Sequence, residues 1–179
     1  MFHQKRIPKA WTIMAQFTTD SEKGAVSSSS DAAKIAQKDP VDLTHLQNIV
    51  DNASEVRRLI DDHCSSIGRD PKSVELIPVS KTKPAEEIQA LYDAGYRHFG
   101  ENYFQELLEK AAILPNDIKW HFIGHLQSQK SARLIREVPN LHVVETLDSL
   151  KLAIKLNNAC TLAERDSLSV YIQINTSGE

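Results

Sequence analysis

Five short apolar runs recur at nearly equal steps, and this rhythm restricts the fold more than any other feature of the sequence. Centred on Ile77, Phe99, Phe122, Val144 and Ile172, they lie 22, 23, 22 and 28 residues apart. The runs are Val74–Ser80, Arg97–Gly100, Trp120–Gly124, Leu141–Glu145 and Val170–Asn175. Amphipathic helical stretches fill the gaps, near 84–94, 103–113, 129–137 and 147–161. Parallel strands need a long crossover, usually a helix, so this alternation predicts a layered α/β fold. Ahead of it a helical period starts at Asp42 and runs through Leu43, Leu46, Ile49, Ala53, Val56, Leu59 or Ile60, and Ile67. Gly68 and the turn Arg69-Asp70-Pro71 stop it.

Cap chemistry supports the boundaries. Pro84 suits a first helical position, followed by Glu86 and Glu87 where the helix dipole favours anions. Asn102 with Gln105 reads as a capping box, and Thr146 with Asp148 reads as the opening of the last helix. Two architectures accept this order: a five-stranded doubly wound sheet, or five of the eight units of a (β/α)8 barrel, which typically needs ~250 residues. All five runs end in polar groups, at Ser80-Lys81-Thr82-Lys83, Gly100-Glu101-Asn102, Gly124-His125, Glu145-Thr146 and Asn175-Thr176-Ser177. A barrel gathers residues from many strands at one mouth, so these ends lean towards the barrel.

Composition narrows the partners. With 21 basic and 24 acidic side chains and a net charge of −3, the chain has no electrostatic case for nucleic acid or an anionic membrane. No apolar run approaches the ~18 residues of a membrane span. Two cysteines, Cys64 and Cys160, suit a reducing compartment, hence the cytoplasm, and both fall on helical segments as small core side chains. Residues 1–40 form a separate N-terminal extension. From Thr18 to Pro40 they include Ser27-Ser28-Ser29-Ser30 and few large apolar side chains, which predicts disorder. Met1 to Thr19 carries Lys5, Arg6 and Lys9 and no acid, leaving a mitochondrial transit peptide, or sequence upstream of a start at Met14, as alternatives to an unstructured tail. The domain proper is 41–179.

Among the strand ends, Lys81 is the sharpest position. A lysine leaving the apolar run Leu76-Ile77-Pro78-Val79 can be held partly dry, which favours the neutral, nucleophilic amine over ammonium. The bland alternative is a solvated lysine. Lys83 precedes Pro84 at a helix entrance, where its charge opposes the dipole, and this hints at an anionic partner nearby. Asn102 offers a ligand hydrogen bond or a helix cap. His121 and His125 with Glu101 and Glu145 raise a metallohydrolase reading. No His-x-His or helical His-x-x-x-His pair supports it, so no metal site is predicted. The six glycines form no P-loop or dinucleotide cradle.

Four strings then occur in order: Val79-Ser80-Lys81-Thr82-Lys83-Pro84, Phe99-Gly100-Glu101-Asn102-Tyr103, Trp120-His121-Phe122-Ile123-Gly124-His125-Leu126-Gln127-Ser128, and Ile172-Gln173-Ile174-Asn175-Thr176-Ser177. Together they resemble the pyridoxal phosphate homeostasis protein family (the YggS/PROSC type) from about Leu43 to Glu179. The resemblance implies a TIM barrel like the N-terminal domain of alanine racemase, five of whose β/α units lie here. It implies pyridoxal 5′-phosphate (PLP) held as an aldimine on Lys81, a Schiff base, with Asn102 near the cofactor and Lys83 as an auxiliary group. His125 aligns with a position of no essential role. It also implies intracellular vitamin B6 homeostasis, with apo-PLP enzymes as recipients, rather than catalysis. The family pattern continues through a phosphate loop and an arginine-bearing strand that these residues do not reach. Taken as complete, the chain would leave its first and fifth strands as open edges, with weak cofactor binding, no activity, or completion by a partner as the expectation. A racemase-like PLP enzyme is the catalytic alternative, and it would need a second proton donor that no residue here plainly supplies.

Overall fold

The computed structural model describes the backbone of residues 11–16 and, in full, residues 42–178. In chain order the elements are β1 (Trp11–Gln16), α1 (Leu43–Ser66), β2 (Val74–Val79), α2 (Ala85–Asp93), β3 (His98–Glu101) and α3 (Phe104–Ile113). They continue with β4 (Lys119–Phe122), α4 (Ser131–Glu137), β5 (Leu141–Leu147), α5 (Leu150–Leu162) and β6 (Ser169–Ile172). The five strands expected from the apolar runs are β2 to β6.

Every neighbouring pair of strands is parallel, and their order in the sheet repeats their order in the chain, β1 through β6. A doubly wound sheet would reverse direction at a switch point. Here there is no reversal. Right-handed crossovers then return the chain on one face only, which is the winding of a β/α barrel. The helices line up accordingly, α1 against α2, α3 against α4 and α4 against α5. The fold is a partial (β/α)8 barrel.

Strand alternation sorts the side chains into two faces. Phe99, Trp120, Phe122, Leu141 and Val144 point at the helices and join Ile88, Leu107, Leu134 and Leu152 in one core. Phe99, Trp120 and Phe122 expose no surface at all, and the Phe99 and Trp120 rings sit 6.1 Å apart. The inner face carries Ile77, Val79 and Ile123, whose side chains surround the space where a Cβ on Gly100 would lie. His98 and His121 share that face.

Asp42 opens α1 as read from the sequence. Its carboxylate accepts hydrogen bonds from the backbone N–H of Thr44 at 3.0 Å and of His45 at 3.1 Å, satisfying two of the helix's unpaired donors. Asp42→Ala is expected to cost about 1 kcal/mol, seen as a melting temperature lower by a few degrees. At the other end Gly68 takes φ +68°, the left-handed stop that glycine permits.

Three expectations need correction. The first predicted strand is not an edge, because residues 11–16 of the supposedly disordered extension pair along the whole of β2, from Trp11↔Val74 to Gln16↔Val79. The run Trp11-Thr12-Ile13-Met14-Ala15-Gln16 has the β-branched and apolar content of a strand, but the basic residues before it disguise it. The Ser27–Ser30 run and the rest of the extension lie outside the described residues. Asn102 does not cap α3, since Tyr103 holds the N-cap position and no side chain caps it. Ser149, not Thr146, caps α5, accepting from the backbone N–H of Leu152. β5 runs on through Leu147 and displaces the helix start.

Candidate functional site

β2 ends at Val79, and the next four residues form a turn closed by the Lys83 N–H donating to the Ser80 carbonyl at 3.0 Å. Thr82, the third residue of this turn, has φ +61°. A type II turn reserves that place for glycine, and a β-branched residue there is strained by about 1–3 kcal/mol. The surroundings therefore hold it. The Thr82 N–H donates to the Glu106 carboxylate of α3 at 2.8 Å.

Glu106 belongs to a buried ionic cluster under the turn. The Lys110 ammonium donates to Glu106 at 2.9 Å, to Glu101 at 2.6 Å and to the Ser80 carbonyl at 2.8 Å. The Ser80 hydroxyl donates to the same Glu101 oxygen at 2.7 Å. Burial pushes the Glu101 carboxyl above its ordinary range, against the opposing pull of Lys110 and Ser80. Burial also pushes Glu106 up, but Lys110 and the Thr82 N–H outweigh it and hold Glu106 below the usual range. One cluster thus grips the residues on both sides of Lys81, the carbonyl of Ser80 before it and the N–H of Thr82 after it.

Ser80 faces α3, so the alternation presents Lys81 over the inner side of the sheet, where it is half-buried. Val79 pairs with Gly100, and Lys81 and Asn102 each come two residues after that pair, just beyond the ends of β2 and β3. The Asn102 Oδ1 is buried and has no hydrogen-bond partner among the described residues. Released from the capping role, this side chain is an acceptor with a vacant valence at the carboxyl edge of the sheet. Lys83 is half-buried at the entrance to α2. Glu101 faces the helices, away from the mouth. His125 is 74% exposed and 3.3 Å from Asp148.

A second cluster occupies the inner face of β3, β4 and β5. His98 on β3, His121 on β4 and His142 on β5 place their ring centroids 5.1, 5.2 and 5.3 Å apart. Burial, with the nearby charges of His121 and Lys119, lowers His98 to about 3, and burial lowers His142 as well. Neither histidine stands out in the sequence by itself. The available signal is their spacing, 23 and 21 residues, which equals the β/α repeat and so makes them neighbours in a singly wound sheet.

Comparisons with known proteins place these features in a family context. No family model matches the chain. The pyridoxal phosphate homeostasis protein of Schizosaccharomyces pombe is 50% identical over 108 residues, 60% of this chain and 45% of that protein. The human protein of the same name is 53% identical over 110 residues, covering 58% of this chain and 40% of its own length. The Escherichia coli K12 protein is 42% identical over 138 residues, 75% of this chain and 57% of the relative. The chain thus spans about half the length of the curated relatives it matches. Among solved structures, an unknown protein from Bifidobacterium adolescentis superposes with a TM-score of 0.68 at 31% identity, over 78% of this chain and 60% of that one. PipY of Synechococcus elongatus, solved with PLP bound, gives 0.54 at 36% identity, over 65% of this chain and 55% of PipY. Among the described residues, no helix is long and apolar enough to cross a membrane. In sequence, the part of the chain that matches is similar to the pyridoxal phosphate homeostasis proteins.

Proposed function

We propose that residues 41–179 form a PLP-binding unit in which Lys81 is the covalent attachment point, serving to hold and release the cofactor rather than to catalyse a reaction. The observation that carries this reading is the clamped turn. A strained backbone around a half-buried amine is maintained by a buried ionic cluster, and structural strain of this kind concentrates at ligand sites. PLP supplies a reactive aldehyde together with a pyridine ring and a phosphate. The residues present suit it: the Lys81 amine adds to the aldehyde carbon, water leaves, and a reversible C=N bond remains. The buried Asn102 Oδ1, which has no hydrogen-bond partner among the described residues, can orient a donor. Lys83 contributes charge at the rim as an auxiliary group. The names of the relatives and the PLP-bound PipY structure support the cofactor assignment.

The homeostasis role in the relatives' names supports carriage rather than catalysis. The recipients we propose are apo-enzymes that use PLP. The compartment we propose is the reducing cytoplasm, in keeping with two buried cysteines that form no disulfide.

Borohydride reduction after adding PLP, followed by peptide mass mapping, tests the assignment. The expected result is a single label on Lys81, lost in Lys81→Ala together with the visible absorption band. Label on Lys83, or no label on a folded chain, would overturn it. With D- or L-alanine added, α-proton exchange is expected to stay at the rate of free PLP, whereas acceleration abolished by Lys81→Ala would show an enzyme.

A further inference from the structure

We infer that His98, His121 and His142 form a binding site for a divalent transition metal of the zinc class, on the inner face of the sheet. The site does not depend on the cofactor reading. One ring nitrogen from each histidine lies within 4.8 Å of the others. Three imidazoles with an open fourth position are a donor set that suits Zn²⁺.

The backbone is shaped to bring them together. Trp120 pairs with Leu141 but His121 pairs with Val143, so β5 carries one extra residue between them, and that residue is His142. In an unbroken register the exposed His142 would lie directly opposite His121 on the inner face, and the bulge brings Val143 opposite it as well without parting the two rings, whose centroids stay 5.3 Å apart.

The outer nitrogens supply an independent second observation. The His121 Nδ1 lies 2.6 Å from the Glu145 carboxylate, so it carries the proton and its Nε2 lone pair points into the cluster. His98 Nδ1 lies 2.8 Å from that Nε2, and His98 Nε2 faces the Glu75 carboxylate at 3.7 Å. Moving the His98 proton from Nδ1 to Nε2 frees a second lone pair and directs the proton at Glu75. Two of the three rings therefore each have a carboxylate behind them, the arrangement that orients metal-bound histidines. Zn–N bonds of about 2.0–2.1 Å set roughly 3.3 Å between ligand nitrogens in a tetrahedron. The closest pair needs to open slightly and the widest to close, both within reach of ring rotation. Glu75 and Glu145 offset the positive charges of Lys119 and Arg165 nearby.

The full chain, stripped with chelator, is titrated with Zn²⁺ by calorimetry and separately with Co²⁺ by visible absorption. One equivalent is expected to bind, with Co²⁺ giving the intense bands of tetrahedral nitrogen and oxygen ligation and no thiolate charge-transfer band. His142→Ala, at an exposed position, is expected to remove the bands while the melt is preserved. Glu145→Gln is expected to weaken Zn²⁺ about tenfold to a hundredfold. Absence of stoichiometric Zn²⁺ binding by the wild-type chain would overturn the inference. So would unchanged affinity and spectrum in His142→Ala, since binding would then reside at other histidines or at cysteine.

Discussion

Gly124→Ala is expected to abolish the cooperative unfolding transition or to leave a chain weakened by more than about 3 kcal/mol, a large part of the total stability of an ordinary domain. A Cβ at this position would lie 1.9 Å from the carbonyl oxygen of Asn102, 2.7 Å from its carbon and 2.9 Å from its Cα. All three are backbone atoms, so no rotamer relieves the overlap, and the ends of β3 and β4 must separate. Gly124 is held from its other side too, its carbonyl accepting from the Thr146 hydroxyl at 2.5 Å. Gly100→Ala provides the contrast. Its Cβ would meet Ile123 Cδ1 at 3.2 Å and Ile77 Cγ2 at 3.4 Å, side-chain atoms that can turn aside, so a cost of about 1 kcal/mol is expected. Urea melts followed by circular dichroism compare the two. Equal midpoints would show that the close approach of Gly124 to Asn102 does not exist in solution.

Lys110→Met is the second large effect. Lys110 is 7% exposed and Glu101 is fully buried, so removing the ammonium leaves a carboxylate with no cation in the protein interior. Breaking a buried pair from one side costs about 3–5 kcal/mol, while replacing both partners is much milder. The double variant Glu101→Gln with Lys110→Met is therefore expected to recover most of the loss. The pH dependence has a definite sign. Burial already raises Glu101, and without Lys110 nothing but the Ser80 hydroxyl opposes that rise. A carboxyl whose folded value lies above its unfolded value favours the folded state when protonated, and this advantage fades as pH rises through the folded value. The Lys110→Met deficit should accordingly shrink as pH is lowered from neutrality towards the ordinary carboxylate range. Denaturant titrations at several pH values measure it. A deficit under about 1 kcal/mol at neutral pH, or one that deepens in acid, would contradict the pairing seen here.

The sequence-to-structure comparison turns on which signals are local. Ile77, Phe99, Phe122, Val144 and Ile172 announce their strands because an apolar run between helical periods needs only near neighbours to be read. Lys81 is legible for the same reason, as the first charge after an apolar strand. Lys110 is not. On α3 it looks like any solvated lysine, and only the docking of that helix under the Ser80–Lys83 turn reveals it as the centre of a buried cluster. Asn102 is ambiguous in sequence because a capping residue and a ligand-binding residue share the same chemistry. A shift of one residue removes the capping reading by giving the N-cap position to Tyr103. His98 and His142 escape notice because each comes from a different strand, and only the β/α repeat spacing links them to His121. Strand β1 is hidden by the basic residues before it and by the polar stretch and the helix α1 that separate it from the strand it joins.

The left-handed residue beside Lys81 bears on when the protein becomes competent. Thr82 takes its conformation from a carboxylate 24 positions later, and Ser80 is tied by an ammonium 30 positions later. A nascent chain exposing only its first two helices has the lysine but lacks the brace that shapes the loop around it. With Lys81 as the proposed attachment point, loading with aldehyde would report that the third helix has been synthesised and docked, tying capture of the small molecule to that stage of maturation.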